Sequence, residues 1–323
     1  MRRAAVAAAI VAGSLAVPST AAAHVRTGRV AVDYKATVAP LRPLLARAVE
    51  VRVYRADLAL GVRALGSHRV VVLGYTGEPF LRLGADGVYA SRGSLTAAGL
   101  GLVEPRSGTG WKLVVREPRL IWHDARVRGL PPGVHHRRWT VPVLVDGSRA
   151  ELSGGLTRVS RPALWPWLAL VIAVAAATGL LLARRSPALL RRAATGLGWV
   201  SALATICVAA GFGAGTTASG GTWVEAANEL VFALVGIAFL VFGSADARAL
   251  AGGAVGLLAL AVGLTGVPVL LHGVVLSALP ANAARASVAL AISAGAAATV
   301  VGLVVFFDVL EHHEEPASLE RYL

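Results

Sequence analysis

The chain has one cysteine, Cys207, and one methionine, Met1. A lone thiol excludes intrachain disulfides, CxxC redox chemistry, iron–sulfur clusters and covalent haem, and the scarcity of methionine excludes a thioether site for Cu(I). Charged residues make up only 15% of the 323 residues, and the mean hydropathy is +0.66. No nucleotide-binding loop, HExxH helix or Ser/His/Asp order is found. A composition this apolar indicates a membrane protein.

The first 23 residues have the features of a cleavable signal peptide. Arg2 and Arg3 give a basic start, residues 4–17 are apolar, and the small residues at 21–23 satisfy the cleavage rule. Cleavage after Ala23 would leave His24 as the first residue of the mature chain. We therefore expect residues 24–162 to be exported.

Residues 24–162 have the pattern of an all-β domain. Short β-prone runs alternate with turn residues, which predicts an antiparallel sandwich, while residues 39–48 favour a short helix. Asp146-Gly147 is a hairpin signal. The predicted strands are 49–54, 70–75, 80–83, 111–115, 140–145 and 152–159.

The same segment is strongly basic. It contains 22 Arg plus Lys against 10 Asp plus Glu, a net charge of +12 out of +13 for the chain. No motif for reading bases or phosphates accompanies this charge, so anionic lipid or an acidic exported partner is favoured over nucleic acid. A codon bias toward arginine is a simpler explanation that stays open.

Residues 163–310 predict an all-α bundle of about five transmembrane helices, at 165–183, 193–213, 226–244, 249–268 and 287–307. Trp165 and Trp167 are typical of the headgroup interface. Four arginines in the link at 184–192 place that link in the cytoplasm, which predicts a multi-pass plasma-membrane protein with its N-terminal domain outside and its tail, 311–323, inside. Pro268 is expected to end or kink the fourth helix, and residues 269–279 to re-enter the membrane or lie along its surface.

The histidines suggest copper binding. A mature N-terminal His24 would offer its α-amine and imidazole to one ion, and a second imidazole would complete the nitrogen-rich site that Cu(II) prefers. His123, His135 and His136 are the candidates for that second ligand. The alternative is that His24 only marks the cleavage site and the other histidines are surface residues.

Residues 139–159, with the start at His24, resemble the end of the CopC-type periplasmic copper-binding domain. The shared features are Asp146-Gly147, Ser153-Gly154 and an alternating last strand. The resemblance implies an Ig/CopC-like sandwich with His24 and Asp146 as copper ligands. The family's second histidine falls at Ser148, so His123, His135 or His136 would have to replace it. CopC domains are also found fused to CopD-type bundles, which have more than five helices. Residues 73–82 have no CopC counterpart and resemble an uncharacterised actinobacterial membrane-protein family.

His272 lies in the apolar stretch after Pro268, where a metal passed from the outer domain would reach it first. The alternative is an interfacial histidine bonded to a carbonyl freed by Pro268.

Three functions are compatible with the sequence. The first is a copper-binding or copper-import protein, with a copper chaperone as a conceivable partner. The second is a non-catalytic assembly subunit whose β-domain docks an exported partner. A copper-dependent oxygenase comes last, because the sequence indicates neither an open coordination position nor a substrate groove.

Overall fold

The computed structural model describes residues 30–54, 56, 59–105, 108–215 and 221–314. Strands fill the first part of this range and long apolar helices fill the part from residue 165. The predicted order of a β-rich region followed by a helical region is thus confirmed. The proposed signal peptide at 1–23, His24 and residues 315–323 lie outside the described residues.

The β-region, meaning the described residues up to 162, contains eleven strands and two short helices. The helices are α1 (Pro43–Ala48) and α2 (Leu95–Gly99). The strands are β1 (Ala31–Val32), β2 (Tyr34–Val38), β3 (Val49–Tyr54), β4 (Ala59–Ala64), β5 (Val70–Leu73), β6 (Pro79–Gly84), β7 (Gly87–Ser91), β8 (Trp111–Val115), β9 (Arg119–Trp122), β10 (His136–Val145) and β11 (Ser148–Arg158).

Two antiparallel sheets share one core. A seven-stranded sheet has the order β2-β11-β10-β5-β6-β7-β8, and a three-stranded sheet has the order β3-β4-β9. Phe80 of the first sheet meets Trp122 of the second edge to face, with ring centroids 5.9 Å apart. Alternate residues of the strands are buried between the sheets, as expected for sheets that are solvated on one face.

Within these two sheets, β2, β4, β7 and β9 lie where the sequence predicted no strand. Each is short and contains a glycine or a charged residue, which weakens the β-prone pattern. Gly61 in the middle of β4 lets the Tyr54 ring pack close to the strand, because a Cβ there would lie 2.5 Å from that ring. Contact between strands, rather than local propensity, explains these elements.

A partly buried carboxylate fixes the turn before β6. Glu78 accepts hydrogen bonds from the hydroxyls of Thr76 (2.6 Å), Ser94 (2.9 Å) and Thr96 (2.7 Å). Partial burial raises the pKa of Glu78, but these hydrogen bonds outweigh it and lower the pKa to about 2. The carboxylate therefore links the 74–79 turn to the start of α2.

The helical region contains α3 (Trp165–Ala183), α4 (Pro187–Gly215), α5 (Gly221–Phe242), α6 (Ala245–Thr265), α7 (Pro268–Leu271) and α8 (Ala281–Glu314). Four described helices, α3, α4, α6 and α8, are long and apolar enough to cross a membrane, so this is a membrane protein. The apolar stretch of α5, Ala226–Phe242, is shorter. The predicted span at 226–244 therefore stays a prediction.

Close glycine contacts and one arginine hold α4, α6 and α8 together. A Cβ on Gly198 of α4 would lie 2.5 Å from the Gly252 Cα of α6, so the two backbones touch at this crossing. At the end of the bundle far from the β-region, Arg191 of α4 contacts Asp246 (2.6 Å) and Asp308 (3.0 Å). One guanidinium thus joins three helices.

The segment between α6 and α8 leaves the bundle and joins the β-region. Helix α6 ends at Thr265, and Pro268 begins the four-residue helix α7 instead of continuing α6. Strand β12 (Val274–Val275) then pairs with β1. Residues 269–279, expected to re-enter the membrane or lie along it, therefore supply a strand that pairs with the β-region.

Candidate binding site at the junction of the β-region and the helices

Asp33 lies between two consecutive strands that belong to different sheets. It lies between β1, which pairs with β12 of the helical region, and β2, which pairs with β11 of the seven-stranded sheet. Its backbone carbonyl accepts a hydrogen bond from the Val159 N–H at 2.8 Å. Only 14% of its side chain is exposed. The chain thus holds a partly buried carboxylate at the boundary between strands and helices.

Three groups surround that carboxylate. His272 Nδ1 is 2.9 Å from Oδ1, the Gly273 N–H donates to Oδ1 at 3.3 Å, and Arg161 Nε is 3.5 Å from Oδ2. Partial burial raises the pKa of Asp33. The His272 and Gly273 hydrogen bonds, with the charges of His272 and Arg161, outweigh burial and hold the pKa below its usual value. Asp33 is therefore an anion in the folded protein at neutral pH.

A buried arginine fixes the loop that carries His272. Arg285, 6% exposed, donates to the carbonyl oxygens of Val269 (3.2 Å), His272 (3.1 Å) and Gly273 (3.2 Å). The break in the helix at Pro268 leaves these carbonyls without the partners that a continuing helix would supply. The guanidinium satisfies them and so determines where His272 is held. We call Asp33, Arg161, His272, Gly273 and Arg285 the junction.

Two grooves open at the junction and share Asp33, Arg158 and Arg161 as lining residues. The large groove, of about 700 Å³, lies between the β-region and the helix ends and is also lined by Leu130, Pro268 and His272. The small groove, of about 430 Å³, is also lined by His135. The volume of the large groove is in the range of small-ligand sites.

The two arginines of the grooves differ in their freedom. Arg158 donates to the carbonyls of Pro131 (2.7 Å) and Val134 (3.0 Å), so its head is fixed. The side chain of Arg161 is 75% exposed, and its contact with Asp33 is long. Arg161 can therefore reorient toward a ligand at little cost.

The structure brings two of the predicted metal ligands near the junction. His272 contacts Asp33, and His135 lines the adjacent small groove. His24 lies outside the described residues. Val30, the first residue of the described chain, lines the large groove. Six residues span at most about 20 Å, so His24 is within chain reach of this groove.

The other predicted ligands lie elsewhere. His123 is exposed just after β9, and His136 is exposed at the start of β10, with Nδ1 3.1 Å from Thr157 Oγ1. Asp146 follows the far end of β10. Ten residues of strand put Asp146 and His136 roughly 30 Å apart. These two residues cannot bind the same ion.

Asp146 has a structural partner that the sequence did not suggest. Its carboxylate accepts from the Arg69 N–H at 2.9 Å and lies 2.7 Å from His68 Nδ1. The hydrogen bond to His68, followed by that from Arg69, lowers the pKa of Asp146. Asp146 and His68 thus join the β10–β11 turn to the segment before β5.

The described residues contain no group of three or more His, Cys, Asp and Glu side chains placed to hold a metal ion.

Asp33 and Arg285 were not predicted from the sequence. Asp33 has no recognisable signal, because its role comes from a contact between segments 240 residues apart. Arg285 did have one: an arginine near the start of a long apolar helix is costly in a membrane and points to a specific partner.

No protein-family model matches this chain, and the searches of curated proteins and of solved structures also find no match.

Proposed function

We propose that this protein is a membrane-anchored docking subunit, whose β-region binds an exported protein through the outer face and open edge of its seven-stranded sheet. The main support is a stack of side chains on that face. The Arg82 guanidinium lies 4.1 Å from the ring centroid of Tyr89 and 5.7 Å from that of Trp111. Arg, Tyr and Trp are the residues most enriched among binding hot spots, and here they occupy three adjacent strands.

The edge strand supports the same proposal. Strand β8 is the last in the sheet order and pairs only with β7 among the described strands, so its other side offers backbone groups to an added strand. Leu113, in the middle of β8, is 42% exposed. An extended segment added there would lie beside Trp111 and Leu113.

Charge indicates the kind of partner. The exported segment has a net charge of +12, and the ion pair of Arg82 with Asp86 is long, at 3.4 Å. We expect an exported protein with an acidic extended segment. The junction would hold the docking face at a fixed position over the helices.

The proposed orientation, with the β-region outside the cytoplasm, agrees with the distribution of charge. Arg184, Arg185, Arg191, Arg192 and Arg248 belong to the links and helix starts at the end of the bundle far from the β-region. Short positively charged links mark the cytoplasmic side.

Photo-crosslinking in cells tests the docking proposal. A photoreactive residue is placed at Leu113 in one full-length chain and at Leu44 on α1 in another, since both leucines are 42% exposed. We expect an adduct with one exported, acidic protein from position 113 and none from position 44, and we expect Arg82→Gln to abolish it. Equal adducts from both positions, or an adduct indifferent to Arg82→Gln, would refute the docking face.

Copper handling is the second candidate, and the chain reach of His24 favours it. The mature amine and imidazole of His24, joined by His272 of the junction or by His135 of the small groove, would give the nitrogen ligands that Cu(II) prefers. In this arrangement Asp146, the ligand that the CopC resemblance implies, takes no part. We also propose that the β-region is an Ig/CopC-like sandwich.

Cu(II) titration of the full-length protein in detergent, with a verified His24 N-terminus, tests this candidate. We expect one-to-one binding that one extra N-terminal alanine abolishes and that Asp146→Asn leaves unchanged. His272→Gln and His135→Gln, measured separately, identify the third ligand. Binding indifferent to the added alanine, or no binding, would remove copper handling.

A further inference from the structure

We infer that the large groove at the junction binds the phosphate headgroup of an anionic membrane lipid. This inference is independent of the docking face and of copper, because it rests on the position, charge and lining of the groove.

The groove lies at the level of the membrane headgroups. The lining includes Thr265, the last residue of α6, and Pro268, the first of α7, so the groove begins where an apolar helix ends. Arg161 also lines the groove and comes four residues before Trp165, which opens the apolar helix α3. Tryptophans at the ends of spans lie at the headgroup level, and Arg161 is therefore held there too.

The charge of the lining residues suits a phosphate. Among the described residues that line the large groove, two are arginines, Arg158 and Arg161, and one is an acid, Asp33. Asp33 already has contacts with His272 and the Gly273 N–H, so Arg161 can turn to a ligand without leaving the carboxylate unpaired. Guanidinium groups form paired, charge-assisted hydrogen bonds with phosphate oxygens. The groove is thus a cationic site next to a membrane.

The remaining lining favours a lipid over a free anion. Val30, Leu130, Pro132 and Pro268 present apolar surface beside the arginines. The groove volume of about 700 Å³ exceeds what a lone phosphate fills and accommodates a headgroup with its glycerol. A lipid here would contact both the β-region and the helices.

The test uses the full-length protein purified in detergent, with phosphatidylglycerol and phosphatidylcholine as probes and native mass spectrometry as the readout. Arg161→Gln removes the mobile guanidinium. Arg149→Gln is the matched control, because it removes an exposed arginine beside the β10–β11 turn, at the other end of these strands from the groove. Both substitutions lower the net charge by one.

We expect retention of one phosphatidylglycerol by the wild-type protein and by Arg149→Gln. We expect its affinity to fall about tenfold in Arg161→Gln, the effect of one charge-assisted contact. Thermal unfolding provides a second readout, since phosphatidylglycerol should raise the midpoint of the wild type more than that of Arg161→Gln. Equal loss in both variants, or equal retention of phosphatidylcholine, would overturn the inference. Displacement of the bound lipid by inorganic phosphate at low concentration would overturn it as well, because the groove would then be a site for free anions.

Discussion

Replacing Arg285 with methionine should release the β-region from the helices. The methionine keeps an apolar stem of similar length but removes the donors to the carbonyls of Val269, His272 and Gly273. Each buried acceptor left without a partner costs about 1–3 kcal/mol. Water can reach part of this loop, so we expect a loss near the low end, about 3 kcal/mol for the three carbonyls together.

The effect is local and calls for a local assay. A loss of about 3 kcal/mol corresponds to a roughly hundredfold rise in the opening of the α7–β12 segment. Hydrogen–deuterium exchange should report it as faster exchange of the Val274 and Leu276 amides, because the Leu276 N–H donates to the Val30 carbonyl at 2.9 Å in the intact joint.

Arg248→Met is the matched control. Arg248 also lies near the start of an apolar helix, but at the other end of the bundle and exposed. We expect Arg248→Met to leave exchange in residues 269–279 unchanged. If the two variants exchange alike in this segment, Arg285 does not hold the joint and the reasoning is refuted.

Three further predictions concern acid stability, the carboxylate at the junction and helix packing. The pKa of Glu78 falls from 4.5 to about 2 on folding, so the ionised carboxylate stabilises the folded state. Its contribution to the free energy of unfolding, about 2 kcal/mol after a discount for solvent screening, is complete above pH 4.5 and disappears as the pH falls toward 2. Glu78→Gln should remove this part of the acid transition followed by circular dichroism, and the exposed Glu104→Gln should not. The pKa of Asp33 is also lowered on folding, so ionised Asp33 likewise stabilises the folded state, and the β1–β12 pairing should loosen only below pH 3.8. Hydrogen exchange at β12 that rises already near neutral pH would contradict this. A Cβ at Gly252 would overlap the carbonyl of a residue in α4, so Gly252→Val should lower the thermal midpoint in detergent by several degrees. Gly196→Val, at a position with open space, should have little effect, and equal losses would contradict the packing argument.

Local pattern accounts for much of the helical region. The sequence places a helix at 165–183, and α3 has these bounds. The long apolar runs predict the helices directly, and Pro268 predicts the end of one of them. The sequence could not indicate that the residues after Pro268 pair with β1, because a two-residue strand has no pattern of its own and its partner lies more than 240 positions away.

The candidate site was predicted only in part. His272 was selected because an ionisable residue near the membrane is costly, and the structure gives it a partner in Asp33. The set of His24 with Asp146 came from a resemblance in the last hairpin. Strand length separates Asp146 from His136, and Asp146 bonds to His68, a contact between segments far apart in sequence. Charged residues that strand pairing brings together have no characteristic spacing in the sequence, so their contact cannot be predicted from it.

The claim that an exported acidic protein docks on the Arg82, Tyr89 and Trp111 face is tested most directly by measuring affinity. The protein captured at position 113 is purified and titrated against the full-length wild type, Trp111→Ala and Leu44→Ala. We expect an affinity loss of about thirtyfold or more for Trp111→Ala, which removes a hot-spot aromatic residue, and a change within about twofold for Leu44→Ala. Equal affinity of Trp111→Ala and the wild type would contradict it.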